Sequence, residues 1–170
     1  MKALSLFPLW AMLVAIEAKR VETRSWNTSY RGPLAIHASA GFGHGGKTGY
    51  MAMRTSEPFR SALEGHPILF GKVIAVCELV AVCEIGFDLD KFDGWEWRDA
   101  TGRIRFHKLT AHERAFGDYT RGRFAWLLDN IKRLDEPVPA KGKLGLWEWD
   151  VTVTCRSDFI ACHSYEVNCG

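Results

Sequence analysis

The segment Lys19-Arg20-Val21-Glu22-Thr23-Arg24-Ser25-Trp26 concentrates the chemistry of this chain. In an extended strand side chains alternate, so Glu22, Arg24 and Trp26 share one face and Val21, Thr23 and Ser25 the other. Lys19 stands just before that strand. A carboxylate between two cations can handle a proton while the cations clamp a phosphate or polarise a carbonyl. An indole beside them offers a surface on which a base can stack. The same residues could equally form an ion-pair network that closes one end of a fold. Farther on, Tyr30 would stack, Arg31 would extend a positive rim, and His37 and Ser39 would stand near the wall of the same cleft. A lone histidine such as His37 is commonly a satisfied structural residue.

A second stretch, GFGHGGKT from Gly41 to Thr48, has the full form G-x-x-x-x-G-K-[ST] of a phosphate loop. Such a loop leaves a strand, wraps backbone N–H groups around phosphates and enters a helix, with lysine on the phosphates and threonine on magnesium. It also needs a parallel sheet and an acidic magnesium partner. Here the acid of Val73-Ile74-Ala75-Val76-Cys77-Glu78 falls mid-strand, because the apolar run continues to Ile85. Helical signal resumes only at Thr55. Nucleotide binding at Gly41–Thr48 is therefore rejected; residues 40–54 are expected to form a glycine loop, with Gly41–Gly49 poorly ordered and binding no ATP.

The elements that must position these residues follow from periodicity. Ala3–Leu6 reads as a strand, then Pro8 opens a buried helix carrying Leu9, Leu13 and Ile16. The same apolar run resembles an export signal, but Trp10, Glu17 and the missing small-residue cleavage site weaken that reading. Val21–Trp26 alternates as a strand, and Leu34–Ala38, after a short turn, is expected to pair with it. Thr55-Ser56-Glu57-Pro58 starts a helix to about Leu63, and Gly71–Ile85 is a long strand. Asp88–Gly94 is an acidic loop. Ile104–Phe106, Phe124–Leu134 and Leu144–Trp149 read as strands, with a short helix over Ala111–Phe116 and a rigid turn over Pro137–Lys143. Strands outnumber helices without a βαβ rhythm, which predicts a small, mainly antiparallel barrel with helices over its ends.

Composition bounds the function classes. Apolar residues make up 47% and charged residues 25%, as in an ordinary globular domain. Lys and Arg number 22 against 20 acids, so net charge alone does not call for nucleic acid. Locally, Arg98, Arg103, Arg105, Lys108, Arg114, Arg121 and Arg123 surround Trp95, Trp97, Phe106 and Tyr119, a pattern that suits either a nucleic-acid groove or a solvated hairpin. Of five cysteines, Cys77 and Cys83 share a strand face as reduced core residues, and Cys155, Cys162 and Cys169 are spaced too widely for zinc. A reducing, cytoplasmic compartment, no metal, no cofactor and a monomer are expected. The longest apolar run is too short for a membrane-spanning helix.

The run ALSLFPLWAMLVAIEAKRVETRSWNTSYRGPLAIHAS resembles the opening of ASCH domains, a family related to the PUA fold. Their motif G-x-K-x-x-E-x-R is matched by Lys19, Glu22 and Arg24, with Glu17 in the glycine position. The run FGDYTRGRFAWLLDNIKRLDEPVPAKGKLGLWEWD resembles the end of the same domain. The resemblance brackets residues 3–150 and leaves 151–170 as an appendage. It implies a PUA-like barrel of about six strands, with helices at its ends and a cleft between barrel and helices. It implies RNA or DNA as partner, for some members hydrolysis of N4-acetylcytidine, and for others ribonuclease activity. The amidohydrolase set is a lysine, a threonine and a glutamate. Lys19 matches the lysine, Glu22 stands in the threonine position, and Glu84 and Glu113 are candidates for the glutamate.

Two functions are therefore expected. The first is binding of single-stranded RNA or DNA, including modified bases, through Lys19, Arg24, Trp26, Tyr30, Arg31, His37 and Ser39. The alternative is a metal-independent hydrolase in the same cleft, using Lys19, Glu22 and Arg24.

Overall fold

A computed structural model describes residues 1–43, 45–86, 94–98 and 101–150, without the Trp97 side chain. His44, the acidic run 88–93 and the tail with Cys155, Cys162, His163 and Cys169 lie outside the described residues. The fold is mainly β with short helices. In chain order the elements are β1 (Lys2–Leu6), α1 (Pro8–Ala15), β2 (Val21–Arg24), β3 (Gly32–Ala38), α2 (Gly46–Thr55) and α3 (Phe59–Ala62). They continue as β4 (Lys72–Glu84), β5 (Gly94–Arg98), β6 (Ile104–Lys108), α4 (Ala111–Ala115), β7 (Phe124–Pro139) and β8 (Leu146–Glu148).

Six strands form one sheet in the order β2-β7-β4-β3-β1-β8, and β5 and β6 form a separate hairpin. β1 and β3 run parallel, and the remaining pairs are antiparallel. The two longest strands, β4 and β7, pair through three register shifts. Each shift is a local kink that increases twist, so the sheet curls. Its edges approach each other: β8 pairs only with Lys2–Leu4 of β1, and at Ser5 the carbonyl accepts 3.0 Å from Arg24 of the opposite edge strand, β2. Among the described residues no helix is long and apolar enough to cross a membrane.

Helix α1 fills the curl. Proline begins it, and seven of its residues, Pro8, Leu9, Ala11, Met12, Leu13, Val14 and Ala15, are buried. A helix apolar on all sides is a core helix, which explains the signal-like run. It packs on β3, β4 and β7 with Leu34, Ile36, Ile74, Leu79 and Trp126. A second cluster, with Val21, Trp95, Leu109, Tyr119 and Leu127, lies under the hairpin, and a third, with Ala3, Ala35, Trp147 and Trp149, covers the outer face of β1 and β3. Cys77 belongs to the main cluster, whereas Cys83 is half-buried against the second; both thiols are free. Burial pushes the Cys77 thiol up to about 12, so it stays protonated and inert.

Several expectations need correction. Strand β3 does not pair with β2: β2 pairs with β7, and β3 lies between β1 and β4. The short connection misled, because α1 acts as a crossover that returns the chain parallel to β1. The glycine stretch is not a loop to residue 54. Gly45 takes a left-handed φ of 76°, and α2 starts at Gly46, with Lys47 and Thr48 in its first turn. Tyr50 anchors this helix against Phe42 and Phe70, supplying packing where local propensity is poor. The next helix is only Phe59–Ala62. The strand that follows these helices, β4, runs antiparallel to β3, unlike a phosphate-loop crossover. β5 was not foreseen, and β7 runs on to Pro139, into the turn expected over Pro137–Lys143.

Candidate functional site

The site begins where α1 ends. Ile16 N–H still closes a helical bond to Met12 O, but Glu17 turns left-handed with a φ of 60°. Lys19 N–H then reaches back 3.0 Å to Leu13 O. This turn folds the Lys19 side chain inward, where its ammonium donates to Val21 O and stands 3.5 Å from Glu22 Oε2. Lys19 is 0% exposed. Burial lowers its pKa by disfavouring the charged form, opposed by the carboxylates of Glu22 and Glu113.

Strand β2 splits its side chains as alternation requires. Val21 enters the cluster beneath the hairpin, and Thr23 Oγ1 accepts from Asp118 N–H at 3.0 Å. On the other face, Glu22 Oε1 lies 3.4 Å from Arg24 Nε, an ion-pair contact not aligned as a hydrogen bond. Arg24 also donates 3.0 Å to Ser5 O. Lys19, Glu22, Arg24 and Ser5 thus form one continuous chain of contacts. Trp126, paired with Glu22 across β2 and β7, is fully buried, and Trp26 meets it edge-on at 4.6 Å between ring centroids.

The expected open cleft holding all four residues is therefore corrected. The structure brings Lys19, Glu22 and Arg24 together, while β2 ends at Arg24 and Trp26 stands in the bend after it, against Trp126; Lys19 is sealed and Glu22 nearly so. Arg24, with 25% of its side chain exposed, and half-buried Trp26 are the members that meet solvent.

The more distant residues do not join them at the cleft wall. His37 is buried, its Nε2 3.0 Å from Ala140 O and its Nδ1 3.1 Å from Ser5 Oγ. Trp147 Nε1 donates 3.1 Å to the same Ser5 hydroxyl. These bonds assign the protons: Trp147 donates to Ser5, Ser5 donates to Nδ1, and Nε2–H donates to Ala140. His37 is thus a neutral brace, and burial lowers its pKa, offset in part by the Ala140 bond. Tyr30 donates to Pro33 O, Arg31 donates to Thr28 O and Tyr30 O, and Ser39 donates to Gly41 O. These side chains brace their own loops.

No protein-family model matches this chain, and no curated protein is significantly similar to it.

Between the two candidate glutamates the geometry distinguishes clearly. Glu84 is exposed at the end of β4. Glu113 is buried; its Oε1 accepts the backbone N–H groups of Arg20 and Val21, the latter at 2.6 Å. Its Oε2 is 2.6 Å from His107 Nε2. One carboxylate therefore ties α4, the hairpin and the start of β2 together. Thr110 caps α4 by accepting Glu113 N–H at 3.1 Å, and the spacing Thr110-x-x-Glu113 is a legible helix-start signal. The glutamate reaches β2 rather than back to its own cap, which the sequence does not reveal.

Tyr119 was read as surface but is buried, stacked on Trp95 with ring centroids 6.1 Å apart. Its hydroxyl has no hydrogen-bond partner among the described residues. Burial, Glu113 and Glu22 push its pKa up. Among the described residues no group of three His, Cys, Asp or Glu side chains is placed to hold a metal. Chemically, the site offers a guanidinium held by one hydrogen bond to Ser5 O and an ion-pair contact with Glu22, a half-buried indole two residues on, and a buried amine 3.5 Å from a carboxylate.

Proposed function

We propose that this chain is an ASCH-type, PUA-like domain that binds single-stranded RNA or DNA at Arg24 and Trp26. The observation that carries the reading is the division of the network. Buried Glu22 and the Ser5 carbonyl hold the Arg24 guanidinium in place, while part of the Arg24 side chain stays open to solvent and half-buried Trp26 follows two residues on. Pre-positioned arginine loses little freedom on meeting a phosphate, and an indole stacks on any base. Lys19 and Glu22 then set the position of Arg24 rather than touch the ligand. The Glu17 backbone supports the resemblance: where the motif has glycine, this chain adopts the left-handed conformation that suits glycine. The test is fluorescence anisotropy with a short labelled oligonucleotide. Binding should weaken with rising salt and weaken about fivefold or more in Trp26→Ala. Absence of salt-sensitive binding at low ionic strength would overturn the proposal.

A hydrolase in the same place is the second reading, favoured by the lowered pKa of Lys19 beside Glu22. A neutral amine could activate a nucleophile for amide cleavage, with Arg24 stabilising negative charge. For phosphodiester cleavage, Glu22 would take the proton of a 2′-hydroxyl. Either route requires Lys19 and Glu22 to become accessible. Incubation with N4-acetylcytidine, and separately with RNA in EDTA, distinguishes enzyme from binder. Product formed by the wild type and lost in Glu22→Gln would make this reading the first.

A further inference from the structure

The hairpin β5–β6 sorts its side chains sharply. In its register Trp95 opposes His107 and Glu96 opposes Phe106, so the first pair faces one side and the second the other. The inward side is anchored. Trp95 stacks on Tyr119, His107 pairs with Glu113 at 2.6 Å, and Arg105 stands 3.9 Å from Asp129. The outward side carries Arg98, Lys108, Ile104 and Phe106, with Glu96 the one acid among its described residues. Phe106 is 51% exposed. Its ring lies against Gly94: a Cβ there would come 2.6 Å from Phe106 Cζ and 2.2 Å from His107 O. Glycine at this position therefore lets the phenyl ring rest on the ribbon while its other side stays open. Arg98 donates 3.1 Å to Gly102 O, which holds it on the ribbon.

We propose that the outward face of β5–β6 is a second nucleic-acid contact, at which an unpaired base stacks on Phe106 and Arg98 and Lys108 meet the flanking phosphates. Cations beside a half-exposed aromatic ring match the charge and the planar faces of a single strand. A hydrophobic protein partner would leave the cations without a role. The choice of partner rests on the reading of Arg24 and Trp26, but the surface is distinct from theirs. Glu22 and Arg24 lie on the opposite face of β2 from Val21, which packs with Trp95 beneath the hairpin.

Four proteins test this in the same anisotropy assay: wild type, Phe106→Ala, Lys108→Gln and Arg24→Gln. Phe106→Ala should weaken binding about fivefold or more. Lys108→Gln should lower the log–log salt slope by about 0.7, the value for one phosphate contact on a single strand. Lys108 is exposed and its substitution leaves the Gly94 packing intact, so that arm is independent of any effect of Phe106→Ala on folding. If both hairpin variants match wild type while Arg24→Gln weakens binding, the hairpin proposal is overturned and the Arg24 reading stands. If the hairpin variants weaken binding and Arg24→Gln does not, the hairpin stands and the other reading falls. A wild type that binds no oligonucleotide overturns both.

Discussion

Removing the Glu113 carboxylate should unfasten the start of β2. Glu113 is 4% exposed, and Oε1 accepts two backbone N–H groups, from Arg20 and Val21. Glu113→Ala leaves both without an acceptor and also frees His107. A buried donor left unsatisfied costs about 1–3 kcal/mol. Val21 is fully buried and warrants the upper half of that range; Arg20 is half-buried and warrants the lower. The expected loss is about 3–5 kcal/mol. Glu113→Gln keeps an oxygen for both N–H groups but loses the charge, which supplies roughly half the strength of such bonds. Its amide would donate to His107 Nε2 once that ring carries its proton on Nδ1. The expected loss is about 1–2 kcal/mol. Urea denaturation reads both as midpoint shifts at constant m. The clamp is refuted if Glu113→Ala falls within about 1 kcal/mol of wild type, or if Gln and Ala cost the same.

Three further outcomes follow from the same geometry. Folded His37 stays neutral below its ordinary value, so near pH 6.5 the unfolded chain binds more protons and stability falls as pH drops from there. The stability gap between wild type and His37→Gln should therefore shrink from about pH 7.5 to about pH 5.5, and a widening gap would contradict the brace. Lys19, sealed with its ammonium on Val21 O, should be among the slowest lysines to react with an amine reagent followed by mass spectrometry, behind exposed Lys47, Lys141 and Lys143. Fast labelling of Lys19 at neutral pH would instead indicate an open, reactive amine and favour the hydrolase. Glu17→Gly should raise the melting temperature, because a left-handed φ of 60° costs a side-chain-bearing residue about 1 kcal/mol; a lower melting temperature would show that the Glu17 side chain matters more than its backbone.

Much of the fold was legible because its signals are local. Proline then an apolar run marked α1, alternation marked β2, a long β-branched stretch marked β4, and partial alternation marked β7. What was lost depends on distant contacts. Helix α2 starts through glycines that disfavour helix, and an aromatic cluster from Phe42, Tyr50 and Phe70 holds it. The pairing of β2 with β7 joins residues about a hundred apart in sequence, beyond any local rule. At the site, spacing grouped Lys19, Glu22 and Arg24 correctly, because one helix end and one strand carry all three. Their exposure was misjudged, because a lysine is ordinarily a surface residue and only the backward turn at Glu17 buries this one. His37 looked chemical by type, but its environment, Ser5, Ala140 and Trp147, comes from both ends of the chain.

The most direct measurement of the central claim is the affinity of wild type and Arg24→Gln for one short single-stranded oligonucleotide at low salt, read by anisotropy with melting curves alongside. If Arg24 is the guanidinium that Glu22 and Ser5 hold ready for a phosphate, wild type binds, its affinity falls as salt rises from about 50 to about 200 mM, and the variant binds about tenfold or more weakly while still folded. Equal affinity of the two folded proteins, or no binding by wild type, would contradict it.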